Sequence, residues 1–184
     1  MRLEKIPKDE VFQRLTDVFR KRGYDGSSYA ELMKATGLVK ASLYHRFPGG
    51  KEEMVNAVLD EVDRHFAQYV LAPAFEQGDA SQRARKIAKR IEEFYGSGRR
   101  WCLLDTLTLA KSLSTLHHTR KSMEFWIETL AKVSRDAGIA AASARKRAED
   151  VVAAIEGGLI VARVSKNRRP FLQVLADLPS RLTK

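Results

Sequence analysis

Between Ser28 and Gly50 the chain is punctuated so closely that one local arrangement fits it. Ser28-Tyr29-Ala30-Glu31 sets a hydroxyl three residues before a carboxylate, the spacing at which each satisfies the other's free backbone N–H at a helix start. A helix begun there can run only to Thr36, because Gly37 readily takes the positive φ that ends it. Lys40 to Phe47 reads as a further helix, stopped by Pro48-Gly49-Gly50. Upstream, Val11, Phe12, Leu15, Val18 and Phe19 recur at helical spacing over Lys8 to Arg22, and Gly23 closes that helix. Two short helices about a tight glycine turn form a helix-turn-helix.

The remainder is also helical in period. From Lys51 a long helix runs toward Leu71 with Val55, Val58, Leu59, Val62, Phe66, Tyr69 and Val70 on one face, until Pro73 interrupts it. Further helices are predicted from about Ser81 to Tyr95, Leu103 to Leu113, Arg120 to Ala137, Ser143 to Val164 and Pro170 to Leu182. Gly78-Asp79, Gly96-Ser97-Gly98, the Leu116-His117-His118 region and Asn167 to Pro170 separate them. No segment alternates like a strand. The expectation is an all-α protein: a three-helix domain over residues 1–50 with the helix-turn-helix, followed by a helical domain over residues 51–184.

Charge narrows the partner class without locating a surface. The net charge is +10, which suits a polyanion because neutralising phosphates releases counterions. Yet Met1 to Asp60 holds eleven Lys/Arg against nine Asp/Glu, a net of +2, and the other +8 lies in the later segment. No stretch approaches the roughly 20 apolar residues of a membrane helix, and Met1 to Lys5 lacks the apolar run of a leader, so no membrane partner and a cytoplasmic location are expected. The single cysteine, Cys102, sits in an apolar run and reads as a core residue; no cofactor or metal set is predicted. Catalysis is not expected. His117-His118, Glu52-Glu53, Asp105 and Cys102 are the reactive groups, and they form no constellation with a base or a phosphate loop.

Within the Lys40–Phe47 helix, Leu43 and Phe47 share the face that should pack on Leu32 and Phe19. Lys40, Ala41, Ser42, Tyr44 and His45 are left nearer the opposite face. Lys40 can reach a phosphate or guanine edge, Ala41 a thymine methyl, Ser42 a phosphate or base, and Tyr44 and His45 can donate to phosphate oxygens. Lys51 opens the next helix, within reach of a backbone.

Gly23 through Leu32, Thr36-Gly37-Leu38 and Leu43-Tyr44-His45-Arg46-Phe47-Pro48-Gly49-Gly50-Lys51-Glu52 resemble the N-terminal signature of TetR/AcrR transcriptional regulators. The Phe-Pro-Gly-Gly-Lys-Glu-Glu stretch, with Trp101-Cys102-Leu103-Leu104 and Glu156-Gly157-Gly158-Leu159, is similar to the LmrA/YxaF-like branch. Val39 departs from the Ser or Thr usual where the recognition helix starts, and Tyr29 and Met33 from the smaller residues usual in the helix before it.

The resemblance implies about nine helices, the first three binding double-stranded operator DNA. Ser28 and Tyr29 join Lys40, Ala41, Ser42, Tyr44, His45 and Lys51 as the predicted DNA-binding set. It also implies a pocket in the middle helices for a small-molecule effector, which there releases the DNA; Phe66, Phe94, Trp101, Leu104, Leu107, Met123 and Trp126 are the large apolar candidates, each equally able to be plain core. Val152, Ile155, Leu159 and Ala162, with Phe171, Val174, Leu175 and Leu178, form two apolar faces that either pack inside one subunit or pair two. The resemblance favours a homodimer, which would present two recognition helices to a palindrome. The function implied is a ligand-responsive repressor; the rival is a DNA-binding activator or architectural protein of this fold that senses nothing.

Overall fold

The computed structural model describes residues 6–184; Met1 to Lys5, read above for a leader, lie outside the described residues. Among the described residues there are nine α-helices and no strand, as the periodicity predicts: α1 (Lys8–Arg22), α2 (Tyr29–Thr36), α3 (Lys40–Arg46), α4 (Gly50–His65), α5 (Ala80–Phe94), α6 (Leu103–Leu107), α7 (Leu113–Asp136), α8 (Ala141–Ser165) and α9 (Arg169–Thr183). The predicted caps are built. Ser28 Oγ accepts the Glu31 backbone N–H at 3.3 Å and the Ser28 N–H donates to Glu31 Oε2 at 3.1 Å, while Gly37 ends α2 at φ 70°. Asp79 caps α5 by accepting the Gln82 N–H at 2.8 Å.

Three boundaries differ from expectation. The helix from Lys51 does not stay α-helical to Leu71: Phe66–Leu71 is π-helix and Ala72–Phe75 is 3-10 helix. Pro73, which has no N–H to continue the α ladder, lies at that change of hydrogen-bond pattern. The Leu103 helix ends at Leu107 rather than Leu113, and α7 begins at Leu113 and passes unbroken through His117-His118. Histidine is only a mediocre helix former and not a breaker; the break falls instead before Ser112, whose Oγ accepts the Thr115 N–H at 3.2 Å.

The chain divides into two compact units, one of residues up to Val62 with Leu103–Arg120, the other of Asp63–Cys102 with Lys121–Lys184. The first thus extends beyond residue 50. Val11, Leu15, Phe19, Leu32, Leu43, Met54, Val55, Val58 and Leu59 are buried in it, so the start of α4 belongs to the same unit as the three N-terminal helices. The α6 segment is latched to α1: Thr106 Oγ donates to Phe19 O at 3.4 Å, and a Cβ on Gly23 would fall 2.8 Å from Thr106 O. The Lys111 N–H donates to Asp25 at 3.2 Å, Asn56 donates to Ser114 Oγ at 3.0 Å, and Glu52 accepts from Ser114 and Ser112. Those two hydroxyls hold the Glu52 carboxyl below the usual carboxylate range.

In the second unit α9 lies against α5 and α8. Its anchor is Phe171, fully buried and worth about 1.5–3 kcal/mol. Both Gly98 and Gly158 make room for it, since a Cβ on either would fall 3.1 Å from Phe171 atoms. Val152, Ile155, Leu159, Ala162, Leu175 and Leu178 are likewise buried within the protomer, and Val174 is half-buried. The two apolar faces offered for pairing subunits are therefore occupied inside one subunit, because α8 and α9 bury them against each other and against α5. A different stripe of α8 stays open. Ala153, Ile160 (39% exposed), Val161 (47%) and Val164 (77%) are exposed, and nothing lies within 4 Å of a Cβ placed on Gly157.

Candidate nucleic-acid interface

The geometry of α3 follows from its back. Leu43 is fully buried and Phe47 nearly so, its ring edge-on to Phe12 with centroids 6.0 Å apart. Helical periodicity then turns the other side outward: Lys40, Ala41, Tyr44 and His45 are exposed and Ser42 is half-buried. The preceding Val39 has extended backbone and gives no side-chain cap, as its chemistry requires.

Tyr29 of α2 stacks on Tyr44 of α3 with centroids 5.4 Å apart and planes at 12°. Lys40 Nζ lies 5.5 Å from the Tyr29 centroid and 5.8 Å from the Tyr44 centroid, so both rings hold the ammonium by cation–π attraction. Behind the stack, Gly50 at φ 71° leaves space that a Cβ would close to 2.8 Å from the Tyr29 hydroxyl. Burial, then the neighbouring Tyr44 phenol, push the Tyr29 pKa up to about 12. Its hydroxyl therefore keeps its proton at neutral pH and is paired with the Tyr44 phenol, which fixes the stack at the front of α3.

Two predicted contact residues already have partners. Ser28 is exposed, yet its hydroxyl is engaged in the capping box. Lys51 is half-buried; its ammonium donates to Tyr24 O at 2.9 Å and lies 4.4 Å from the Tyr24 ring centroid. It tethers the turn between α1 and α2, and any phosphate contact would be made with its remaining hydrogens. Sequence reasoning missed two positioning residues. Arg14 donates to Ala35 O and Thr36 O, both at 3.3 Å, closing the end of α2, and Arg46 donates to Ile6 O at 3.2 Å. Their partners lie 21 to 40 residues away, beyond the reach of any spacing rule.

Of the predicted pocket residues, the structure brings three together in the second unit. Phe66 meets Phe94 and Trp126 edge-on, each with centroids 5.1 Å apart. Trp126 is 2% exposed and its indole N–H has no acceptor among the described residues. Trp101 lies beneath the Arg163 guanidinium at 5.0 Å and Met123 is half-buried, whereas Leu104 and Leu107 are buried residues of the other unit. The reactive groups weighed for catalysis are dispersed: Glu53 accepts the Gly49 N–H at 2.6 Å, His118 faces Asp60 at 3.6 Å, and Cys102 is buried beside the Tyr95 hydroxyl. Among the described residues no group of three His, Cys, Asp or Glu could hold a metal ion, and no helix is long and apolar enough to cross a membrane.

The first unit thus presents a short helix with an apolar back and a front of ammonium, phenol, imidazole, hydroxyl and methyl groups. That is the chemistry of a DNA-reading helix. Comparison with known proteins agrees. Residues 15–58 match the model of bacterial regulatory proteins of the tetR family, and residues 87–177 match the C-terminal domain of LmrA/YxaF-like transcriptional regulators. The chain is 24% identical to the HTH-type transcriptional regulator LmrA of Bacillus subtilis (strain 168) over 182 residues, 96% of this chain and 97% of that one. A TetR transcriptional regulator from Legionella pneumophila superposes with a TM-score of 0.85 at 22% identity, covering 99% of this chain and all of the other. A cysteine mutant of the TetR family regulator CifR, complexed with a 26 bp double-strand operator DNA, superposes with a TM-score of 0.78 at 22% identity over 97% of this chain and 98% of its own. The chain belongs to the TetR family of bacterial transcriptional regulators and carries an LmrA/YxaF-like C-terminal domain.

Proposed function

We propose that this protein is a ligand-responsive repressor, acting in the cytoplasm, that binds a palindromic operator as a homodimer and is released by a small molecule. The observation that carries the DNA-binding part is the Tyr29–Tyr44–Lys40 cluster: an ammonium held at the front of α3 by two stacked rings. Holding the side chains before DNA arrives lowers the entropy lost on binding. Lys40, Ala41, Ser42, Tyr44 and His45 read base edges and phosphates, Tyr29 and Ser28 flank them, and Lys51 positions the turn behind.

A dimer supplies two such faces to two half-sites. Its interface is the open stripe of α8, where Ala153, Gly157, Ile160, Val161 and Val164 follow helical spacing and Gly157 permits close approach. For the effector, Phe66, Phe94 and Trp126 offer an aromatic wall, and the indole N–H of Trp126, unpaired among the described residues, favours a ligand with a hydrogen-bond acceptor, since a buried donor left unmade costs about 1–3 kcal/mol. Release then follows from linkage: a ligand lowers DNA affinity by its preference for a conformation that misplaces the recognition helices. Two continuous helices, α4 and α7, each have residues in both units and can carry that displacement.

The test is selection of bound duplexes from a random library by the purified protein, at a stated near-physiological salt concentration. An enriched palindrome that Val161→Glu no longer selects supports the dimeric operator reading; salt-sensitive but sequence-blind binding overturns it and favours an architectural protein. A ligand screen by thermal shift on the same preparation separates a sensor from a regulator that senses nothing.

A further inference from the structure

Most of the positive charge lies outside the helix-turn-helix, and the reading above leaves it unused. From Gly157 to Ala176 the chain carries Arg163, Lys166, Arg168 and Arg169 and no carboxylate, and Arg99-Arg100 stand in a second acid-free turn. The fold of the second unit puts these two turns at one end. Gly98 of the Arg99-Arg100 turn lies against the Phe171 ring at the start of α9, and Trp101 lies 5.0 Å from Arg163.

The turn between α8 and α9 is held in shape. Asn167 N–H donates to Ser165 Oγ at 3.3 Å, Arg169 N–H donates to Asn167 Oδ1 at 3.0 Å, and Lys166 adopts φ 54°, a region that side-chain-bearing residues enter rarely. Lys166, Arg168 and Arg169 are exposed, and with Asn167, Leu172 and Gln173 they line an open hollow of about 550 Å³. Among the described residues none of these three cations pairs with a carboxylate, although ion pairs are frequent on other helices of the same unit, such as Lys86–Glu76, Lys132–Asp136 and Arg145–Glu149. Helix electrostatics do not account for Arg168 and Arg169, which stand at the start of α9, the end where a helix favours acids.

We propose that this cationic end is a second contact surface for the sugar-phosphate backbone of duplex DNA, sequence-blind and separate from the α3 face. The inference rests on the operator-binding reading. Duplex DNA is the occupant that matches the charge, being a dense array of phosphates, and guanidinium groups bind phosphate oxygens in a bidentate fork. Arg99, Lys166, Arg168 and Arg169 would supply affinity and leave base preference to α3.

Salt dependence tests it on the full-length protein with a duplex enriched in the selection. In Lys166→Gln/Arg168→Gln/Arg169→Gln the slope of log K against log salt should be shallower by about 0.9 for each phosphate that is no longer neutralised. Affinity at low salt should fall tenfold or more, with the enriched sequence and the oligomeric state unchanged. Arg168→Lys/Arg169→Lys should retain most of the slope. A charge-matched control, Arg85→Gln/Lys89→Gln/Lys121→Gln, should leave it unaltered. An unchanged slope in the first variant overturns the proposal while leaving the operator reading intact, and an equal fall in the control overturns it by tracing the effect to net charge. Loss of binding to phosphatidylglycerol vesicles, with DNA binding untouched, would assign the surface to a membrane instead. If the parent protein selects no duplex, both readings fall.

Discussion

Tyr29 carries the proposed interface at the residue scale, since its ring stacks Tyr44, helps hold Lys40 and packs its hydroxyl against Gly50. Its raised pKa has a testable sign. The unfolded chain releases the phenol proton near the ordinary value of 10.0, the folded chain only near about 12. The protonated phenol therefore contributes stability that is complete below pH 10 and lost as pH rises through 12. Denaturant unfolding measured from pH 8 to 12 should show wild-type stability falling more steeply above pH 10 than that of Tyr29→Phe; identical pH profiles would contradict the environment described. The sequence marked Tyr29 as a departure from its relatives, but the stack that explains it is a tertiary outcome. Lys51 shows the same limit. Its charge was legible, while its engagement with Tyr24 O, 27 residues away, depends on the folded turn.

Elements were legible where a local rule acts and illegible where packing decides. The Ser28–Glu31 capping box, the Gly37 stop and the apolar back of α3 are local rules, and the structure builds them. The ends of α6 and α7 are not, because Leu109 and Leu113 have apolar character yet stay 88% and 82% exposed in a segment shaped by Asp25, Glu52 and Ser112. Gly23 is the element-scale test. Its φ of 66° with ψ of −172° is a conformation open almost only to glycine, and a Cβ would meet the Thr106 carbonyl at 2.8 Å. Gly23→Ala should cost at least about 1–3 kcal/mol in urea unfolding and loosen α6 from α1. A variant with unchanged stability would refute that close approach.

Across the whole molecule, the apolar stripes of α8 and α9 were legible but their partners were not. Periodicity states that a face is buried and is silent on whether the burying surface belongs to the same chain. Val152, Ile155, Leu159 and Ala162 are buried within the protomer, and the exposed Ala153–Val164 stripe is the surface proposed for a second copy. In this account a dimer sets the spacing of two α3 faces, and the front of each face reads the operator. The most direct measurement is the affinity of Lys40→Ala and Tyr44→Ala for the selected duplex, by fluorescence anisotropy, with sedimentation confirming the same oligomeric state. Each should bind about tenfold or more weakly than the parent, since a base or phosphate contact of this kind is worth about 1–3 kcal/mol. Unchanged affinity in both variants would contradict the assignment of α3 as the reading helix.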